Sequence, residues 1–207
     1  MRAEPSKPRK AQRGVSLIEL LVVVFVTLIT AAIASPNIMR AVYDIRLRSG
    51  AGDLAGLMQQ ARICAAKDNQ PYPVRFTTLG GARIAYIDLN RDGTYVSTEP
   101  QVQFSGTVVP AAGAPSGTGG APSAYVLTGD SSSGSVYTNT TTLGFSSRGL
   151  PCAFDSSTAP PTCVTPATNY FAYYLTDTRM GTPGWAGVIV TKAGRTKVVM
   201  WDGTSWH

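Results

Sequence analysis

The chain has 207 residues, 43% hydrophobic and 14% charged, a length suited to a single globular domain of about 100–200 residues. Its one histidine, His207, excludes a histidine-based triad or zinc cluster. The net charge of +6 argues little for nucleic acid in bulk, because Arg2, Lys7, Arg9, Lys10 and Arg13 against Glu4 place +4 of it before Val15 and leave +2 for the rest.

This basic leader, residues 1–14, stops at Gly14, and an apolar run follows from Val15 to Ala34. The run is close to the roughly 20 residues that span a bilayer as a helix. It holds one carboxylate, Glu19. An ionisable side chain in such a segment costs about 2.5–3.5 kcal/mol on insertion scales and calls for a partner. Cleavage after Gly14 would create one, a cationic α-amino group on Val15. In a row of parallel helices, Glu19 of one subunit could then pair with Val15 of the next.

Gly14-Val15-Ser16-Leu17-Ile18-Glu19 resembles the class III signal of type IV pilins and type II secretion pseudopilins. The resemblance implies that a prepilin peptidase cuts after Gly14 and methylates Val15, and that Glu19 guides assembly with other pilin subunits. Val15 stands where the family usually has Phe or Met. Pro36, the twenty-second residue from Val15, falls where many members carry a helix proline, and it should kink the helix. Two other readings compete. An ordinary membrane anchor explains the apolar run but not Glu19. A secretory signal peptide would use Ala32-Ile33-Ala34 as its cleavage site, yet a carboxylate is out of place in its apolar region. The leader's cations hold that end in the cytoplasm. The expected location is therefore the inner membrane, crossed once by residues 15–35, with residues 36–207 as a periplasmic domain.

The helix is predicted to continue from Val15 to about Lys67 and to end at Asp68-Asn69-Gln70-Pro71. Past Pro36 it becomes amphipathic. Ile38, Val42, Ile45, Leu54, Leu57, Met58 and Ala61 are expected in a core, and Arg40, Asp44, Arg46, Arg48, Asp53 and Arg62 in water. Gly50, Gly52 and Gly56 weaken the helix by about 1 kcal/mol each relative to Ala. They either permit close packing with a neighbour or a sheet, or mark a stretch that melts on assembly. Cys64 shares the spacing of Leu54, Leu57, Met58 and Ala61 and reads as a buried, inert thiol.

Strands are predicted at 73–78 and 83–89 around the turn Leu79-Gly80-Gly81-Ala82, then at 102–109, 124–127, 141–145, 170–175, 187–191 and 196–201. Residues 110–123, PAAGAPSGTGGAPS, read as a mobile loop. Cys152 and Cys163 bracket a Ser-, Thr- and Pro-rich loop that a disulfide would close in an oxidising space, contributing about 2–4 kcal/mol. One long helix followed only by strands predicts an α+β fold, the helix packed on an antiparallel sheet. Arg46-Leu47-Arg48-Ser49, Gln60-Ala61-Arg62, Lys67 to Pro71, Ala85 to Gly93, Leu143-Gly144-Phe145 with Arg148-Gly149, and Gly194-Arg195 resemble the GspH/FimT branch of minor pilins. That resemblance implies a minor subunit. The Ala/Gly/Ser-rich insertion departs from its compact members.

Three further stretches carry chemistry. Asp88, Asn90, Asp92, Gly93 and Glu99 fit the calcium-loop pattern D-x-N-x-D-G-x5-E. The flanks read as strands rather than two helices, so a hairpin turn with Gly93 at positive φ is preferred and no metal is assigned. Lys192, Arg195 and Lys197, with Trp201 and Trp206, form a small basic and aromatic cluster. A related Gly-Arg-x-Arg motif is associated with DNA binding in FimT-type pilins of competent bacteria. Here Lys197 replaces the second Arg and loses its bidentate geometry, and a solvated hairpin tip is the preferred reading. No phosphate loop follows a strand and opens a helix. The chain is expected to be a peptidase substrate without cofactor, not an enzyme.

Overall fold

The computed structural model describes residues 15–111, 114–115, 136–138, 143–158, 160–164, 170–180 and 184–207. These fall into two compact units, residues 1–40 and 41–207. One helix, α1 (Leu17–Asp68), contains Pro36 without interruption. It stops through local backbone chemistry. Asn69 takes φ 53°, and the Gln70 amide donates to the Ala65 carbonyl at 3.1 Å. That is a left-handed cap, which asparagine tolerates and which closes carbonyls the last turn leaves open.

In the first unit the helix is apolar on all sides, and Val15, Leu17, Ile18, Leu20, Leu21, Phe25, Leu28 and Ile33 are all exposed. In the second unit α1 is one-sided. Leu47, Ala51, Leu54, Met58, Ala61 and Ala65 recur every three or four residues and are fully buried. They pack with Val74, Ile87, Leu143, Phe171, Tyr173 and Val188 in one core shared by the helix and two sheets.

The first sheet holds β1 (Tyr72–Leu79), β2 (Ala82–Ile87), β3 (Gln101–Gln103), β6 (Leu143–Phe145), β7 (Pro151–Asp155) and β8 (Thr162–Val164), in the order β3-β2-β1-β6-β7-β8. The second holds β4 (Val108–Ala111), β9 (Tyr170–Asp177), β10 (Trp185–Thr191) and β11 (Thr196–Trp201), in the order β11-β10-β9-β4. β5 (Val136–Thr138) pairs with β9 in parallel; the other pairings are antiparallel. Gly80 and Gly81 take φ 56° and 85°, the geometry that a two-residue turn between twisted strands requires.

The second sheet is covered on both faces, as strand alternation allows. Ala186, Val188 and Val190 face the core under α1, while Ile189 joins Ala172, Tyr174, Val199, Trp201 and Trp206 on the other side. Trp206 reaches that face because residues 200–207 fold back, the Met200 and His207 backbones exchanging hydrogen bonds of 2.9 and 3.1 Å. Asp202 ties this turn with four amide- or hydroxyl-donated bonds from Thr204 and Ser205, which hold its carboxyl below the usual range.

The α+β architecture agrees with the sequence reading, and several details correct it. The expected strand 102–109 is two strands in different sheets, divided by a turn in which the Val108 amide donates to the Ser105 carbonyl. Pro110 and Ala111, expected in the mobile loop, complete β4. Part of the cysteine-bracketed loop is strand, since β7 and β8 each carry one cysteine. The expected strand 124–127 lies outside the described residues. Ile38 and Ile45 are exposed, 61% and 65%, because the core-facing row is set by Leu47 and Leu54 instead. Cys64 is half-buried against the core.

A β-carbon at Gly187 would stand 2.9 Å from Val199 Cγ2 and 3.4 Å from the Trp206 ring. Gly187→Ala is therefore expected to destabilise the protein by about 1–3 kcal/mol, the usual range for overpacking. Chemical denaturation of the detergent-solubilised chain checks this, and an unchanged midpoint contradicts it.

Candidate functional site

The residues implicated in assembly sit at the start of α1. Gly14 lies outside the described residues. Val15 is 70% exposed just before the helix, and Ser16 accepts the first helical bond from the Leu20 amide at 3.1 Å. Glu19 lies in the first turn, where the partial positive charge of unpaired amides favours a carboxylate. It forms no ion pair with another described residue. Beyond it the polar atoms are satisfied locally: Thr27 Oγ1 donates to the Val24 carbonyl and Thr30 Oγ1 to those of Val26 and Thr27. Among the described residues this is the one helix long and apolar enough to cross a membrane. Glu19 is the sole charge in its apolar segment and is left open to a partner.

The second unit brings together residues that the sequence leaves far apart. Gly149 and Gly194 each close a four-residue turn at positive φ, 70° and 77°. In both turns the glycine amide donates across the loop at 2.7 Å, to the Ser146 and Thr191 carbonyls respectively. Both glycines abut the Arg62 side chain; a β-carbon at either would stand 3.1 Å from it. The Arg62 guanidinium donates to the Gly194 carbonyl at 3.1 Å, and Gln59 donates to Thr196 Oγ1 beside it. One arginine from α1 thus joins a turn of the first sheet to a hairpin of the second. Its expected exposure is corrected for that reason: the stem fills the space two missing side chains leave. The sequence signal was the repeated pairing of glycine with a neighbouring arginine, Arg148-Gly149 and Gly194-Arg195, but nothing local showed that both meet Arg62.

This junction sets the exposed Arg148 beside the hairpin that carries the exposed Lys192 and Arg195. The side chains of those three make no ion pair with a described residue. Lys197, on β11, is also exposed. Trp201 and Trp206 do not join this cluster; on the outer face of the second sheet Trp206 packs in tilted contact against Trp201 and Tyr174, with ring centroids 5.4 and 5.8 Å apart.

The Asp88–Glu99 segment is a hydrogen-bonded turn. Asp88 is fully buried, and its Oδ2 accepts from Arg75 Nε at 2.7 Å and from the Gly93 amide at 3.0 Å. Glu99 is buried too, its two oxygens taking the Leu89 and Val96 amides. Asn90 and Asp92 bond each other, and Asp92 accepts the Thr94 amide. Arg91 and Gly93 sit at positive φ, 63° and 80°. Carboxylates of a calcium loop would turn inward to one point; these turn to separate backbone amides. Burial pushes the neighbouring Tyr86 phenol above its usual range, and the Asp88 charge adds to the rise. Cys152 and Cys163 form a disulfide between β7 and β8.

Residues 9–35 match the family described as the prokaryotic N-terminal methylation motif. No curated protein and no solved structure matches the chain. The motif and the apolar helix that starts within it support a type IV pilin-like protein, one that is anchored in a membrane, processed by a peptidase and assembled with other pilin subunits.

Arg62→Ala removes a charge-assisted bond to a backbone carbonyl and the packing of two turns, and is expected to cost about 1–3 kcal/mol. Arg62→Lys keeps the stem but not the fork and should recover only part of the loss. Thermal melts of both variants check this, and an Ala variant as stable as the parent overturns the role given to Arg62.

Proposed function

We propose that the chain is a minor pilin or pseudopilin of the GspH/FimT type, a structural subunit of a type II secretion pseudopilus or a type IV pilus. In this reading it waits in the inner membrane with residues 36–207 in the periplasm. A prepilin peptidase cuts it after Gly14 and methylates Val15, and it enters the filament through Val15–Ala34. It acts as a substrate of that peptidase and has no catalysis of its own. The observation that carries the reading is Glu19, the one carboxylate of an exposed, otherwise apolar helix within the matched residues 9–35. In apolar surroundings its charge requires compensation, and the amine freed on Val15 of a neighbour supplies it. The pairing sets register; apolar contact supplies the bulk of the packing energy.

The minor-subunit reading draws support from the way its scattered resemblances converge. Arg62, Arg148-Gly149 and Gly194-Arg195 lie far apart in sequence and meet at one junction. Glu19→Ala is expected to leave processing intact and to reduce incorporation into filaments. Intact mass and N-terminal sequencing of the membrane-extracted protein check the first part, with a methylated Val15 start expected. A chain starting at Ser35 would falsify the pilin reading as a whole.

A second reading, a minor pilin that contacts DNA, is favoured by one observation: the Arg62 junction adds Arg148 to the basic hairpin of Lys192, Arg195 and Lys197. So few cations give weak, salt-dependent contact. The full chain is expected to shift duplex DNA at low salt, with Arg148→Ala and Arg195→Ala together weakening binding and flattening its salt dependence. No shift with excess protein removes this reading.

A further inference from the structure

Within the second unit, the two ends of α1 meet different turns of the second sheet. The β10–β11 hairpin meets Arg62, near the helix C-terminus. The turn that follows β9 meets the other end, where the Arg179 guanidinium lies over the Tyr43 ring, 5.8 Å from its centroid. A buried carboxylate fixes this second turn. Asp177 is 1% exposed; its Oδ2 accepts from Thr107 Oγ1 at 2.8 Å and its Oδ1 from the Arg179 amide at 2.9 Å. The Thr178 amide donates to the Thr107 carbonyl, the Met180 amide donates to the Asp177 carbonyl, and Met180 packs against the core. The exposed Arg179 is therefore presented by a preformed turn. Arg46 is exposed about one helical turn past Tyr43, and neither arginine forms an ion pair with a described residue. The acids beside them in sequence are occupied, Asp177 by its buried bonds and Asp44 by Arg48 at 2.8 Å.

We propose that Tyr43, Arg46 and Arg179 form a contact for anionic phospholipid headgroups, which seats the second unit on the bilayer that anchors the chain. The inference rests on the membrane anchoring of the apolar segment and is independent of the kind of filament. Three observations select lipid. First, the chain itself brings the bilayer within reach: Tyr43 follows Ala34, the last residue of the apolar run, by nine residues, about 13 Å of helix. The polar layer of a bilayer extends about 5–8 Å past its hydrocarbon, and the potential of anionic lipids about 8 Å further at physiological salt. Second, the side chains suit that layer. A tyrosine has an apolar body and a polar tip, and the planar fork of an arginine matches a phosphate. Third, the charge is complementary, since two cations without an ion pair stand clear of any free acid near them in sequence and attract an anionic surface.

The test reconstitutes the full chain, with a photo-crosslinker at the exposed position 178, in phosphatidylcholine vesicles with and without phosphatidylglycerol. Lipid adducts at 178 should be about fivefold or more stronger with phosphatidylglycerol, and should fall about tenfold in the Arg46→Gln, Arg179→Gln double variant. Arg46→Gln alone leaves the Arg179–Tyr43 contact intact and should still lower labelling, so the loss is not one of folding. Arg179→Lys keeps the charge and should retain most of the labelling. Arg195→Gln, at the Arg62 end of α1, should retain all of it. Equal labelling in phosphatidylcholine alone, undiminished labelling in the double variant, or a lysine variant as weak as the glutamine one overturns the headgroup contact. So does an adduct to protein instead of lipid. Inorganic phosphate that abolishes the adduct beyond chloride of equal ionic strength makes the site one for a soluble anion and overturns it too. If the parent chain does not float with the vesicles, the anchoring itself fails; if it floats and position 178 labels no lipid, only the headgroup contact fails.

Discussion

One row of side chains on α1 holds the second unit together. Leu47, Ala51, Leu54, Met58, Ala61 and Ala65 are fully buried and share the main core with residues of both sheets. On the same helix Arg62 lies against Gly149 and Gly194, and a β-carbon at either would crowd its side chain at 3.1 Å. The turn geometries follow the same constraint, since both glycines also occupy the left-handed region.

The two units answer different solvents. In the first, apolar side chains surround the helix and the threonine hydroxyls bond their own backbone, as a segment without water requires. In the second, each buried carboxylate accepts hydrogen bonds: Asp88 from Arg75 and the Gly93 amide, Glu99 from two amides, Asp177 from Thr107. A subunit that stays in a membrane before assembly needs both. Its anchor must be ready to exchange lipid for another helix, and its domain must be folded beforehand so that assembly does not also have to order it.

Much of the assembly element was legible in sequence because each part is a local property. The basic leader, Gly14, the apolar run and Glu19 lie within a few turns of helix, and apolar length and an isolated charge need no tertiary context to be recognised. The end of α1 at Asn69 and the Gly80-Gly81 turn were legible for a similar reason, since backbone conformations that few residues tolerate mark themselves. The core face was legible only in part. Leu54, Leu57, Met58 and Ala61 enter the core that their spacing predicts, whereas Ile38 and Ile45 do not, because hydrophobicity does not reveal which of two apolar rows a sheet covers.

By itself the sequence determined that this is one long helix followed by strands, with a processing signal and a lone carboxylate at the helix start. Composition and period act over a few residues, and those residues lie side by side in the chain. Only the tertiary structure decided which side of α1 the sheets take, that residues 102–109 divide between two sheets, and that Arg62 is drawn in between Gly149 and Gly194. It also separated Gly50, against the sheet side, from Gly52 and Gly56, which face outward. These outcomes depend on contacts between segments more than 80 residues apart for Arg62, and on the choice between helix faces that are equally periodic; no local pattern encodes either.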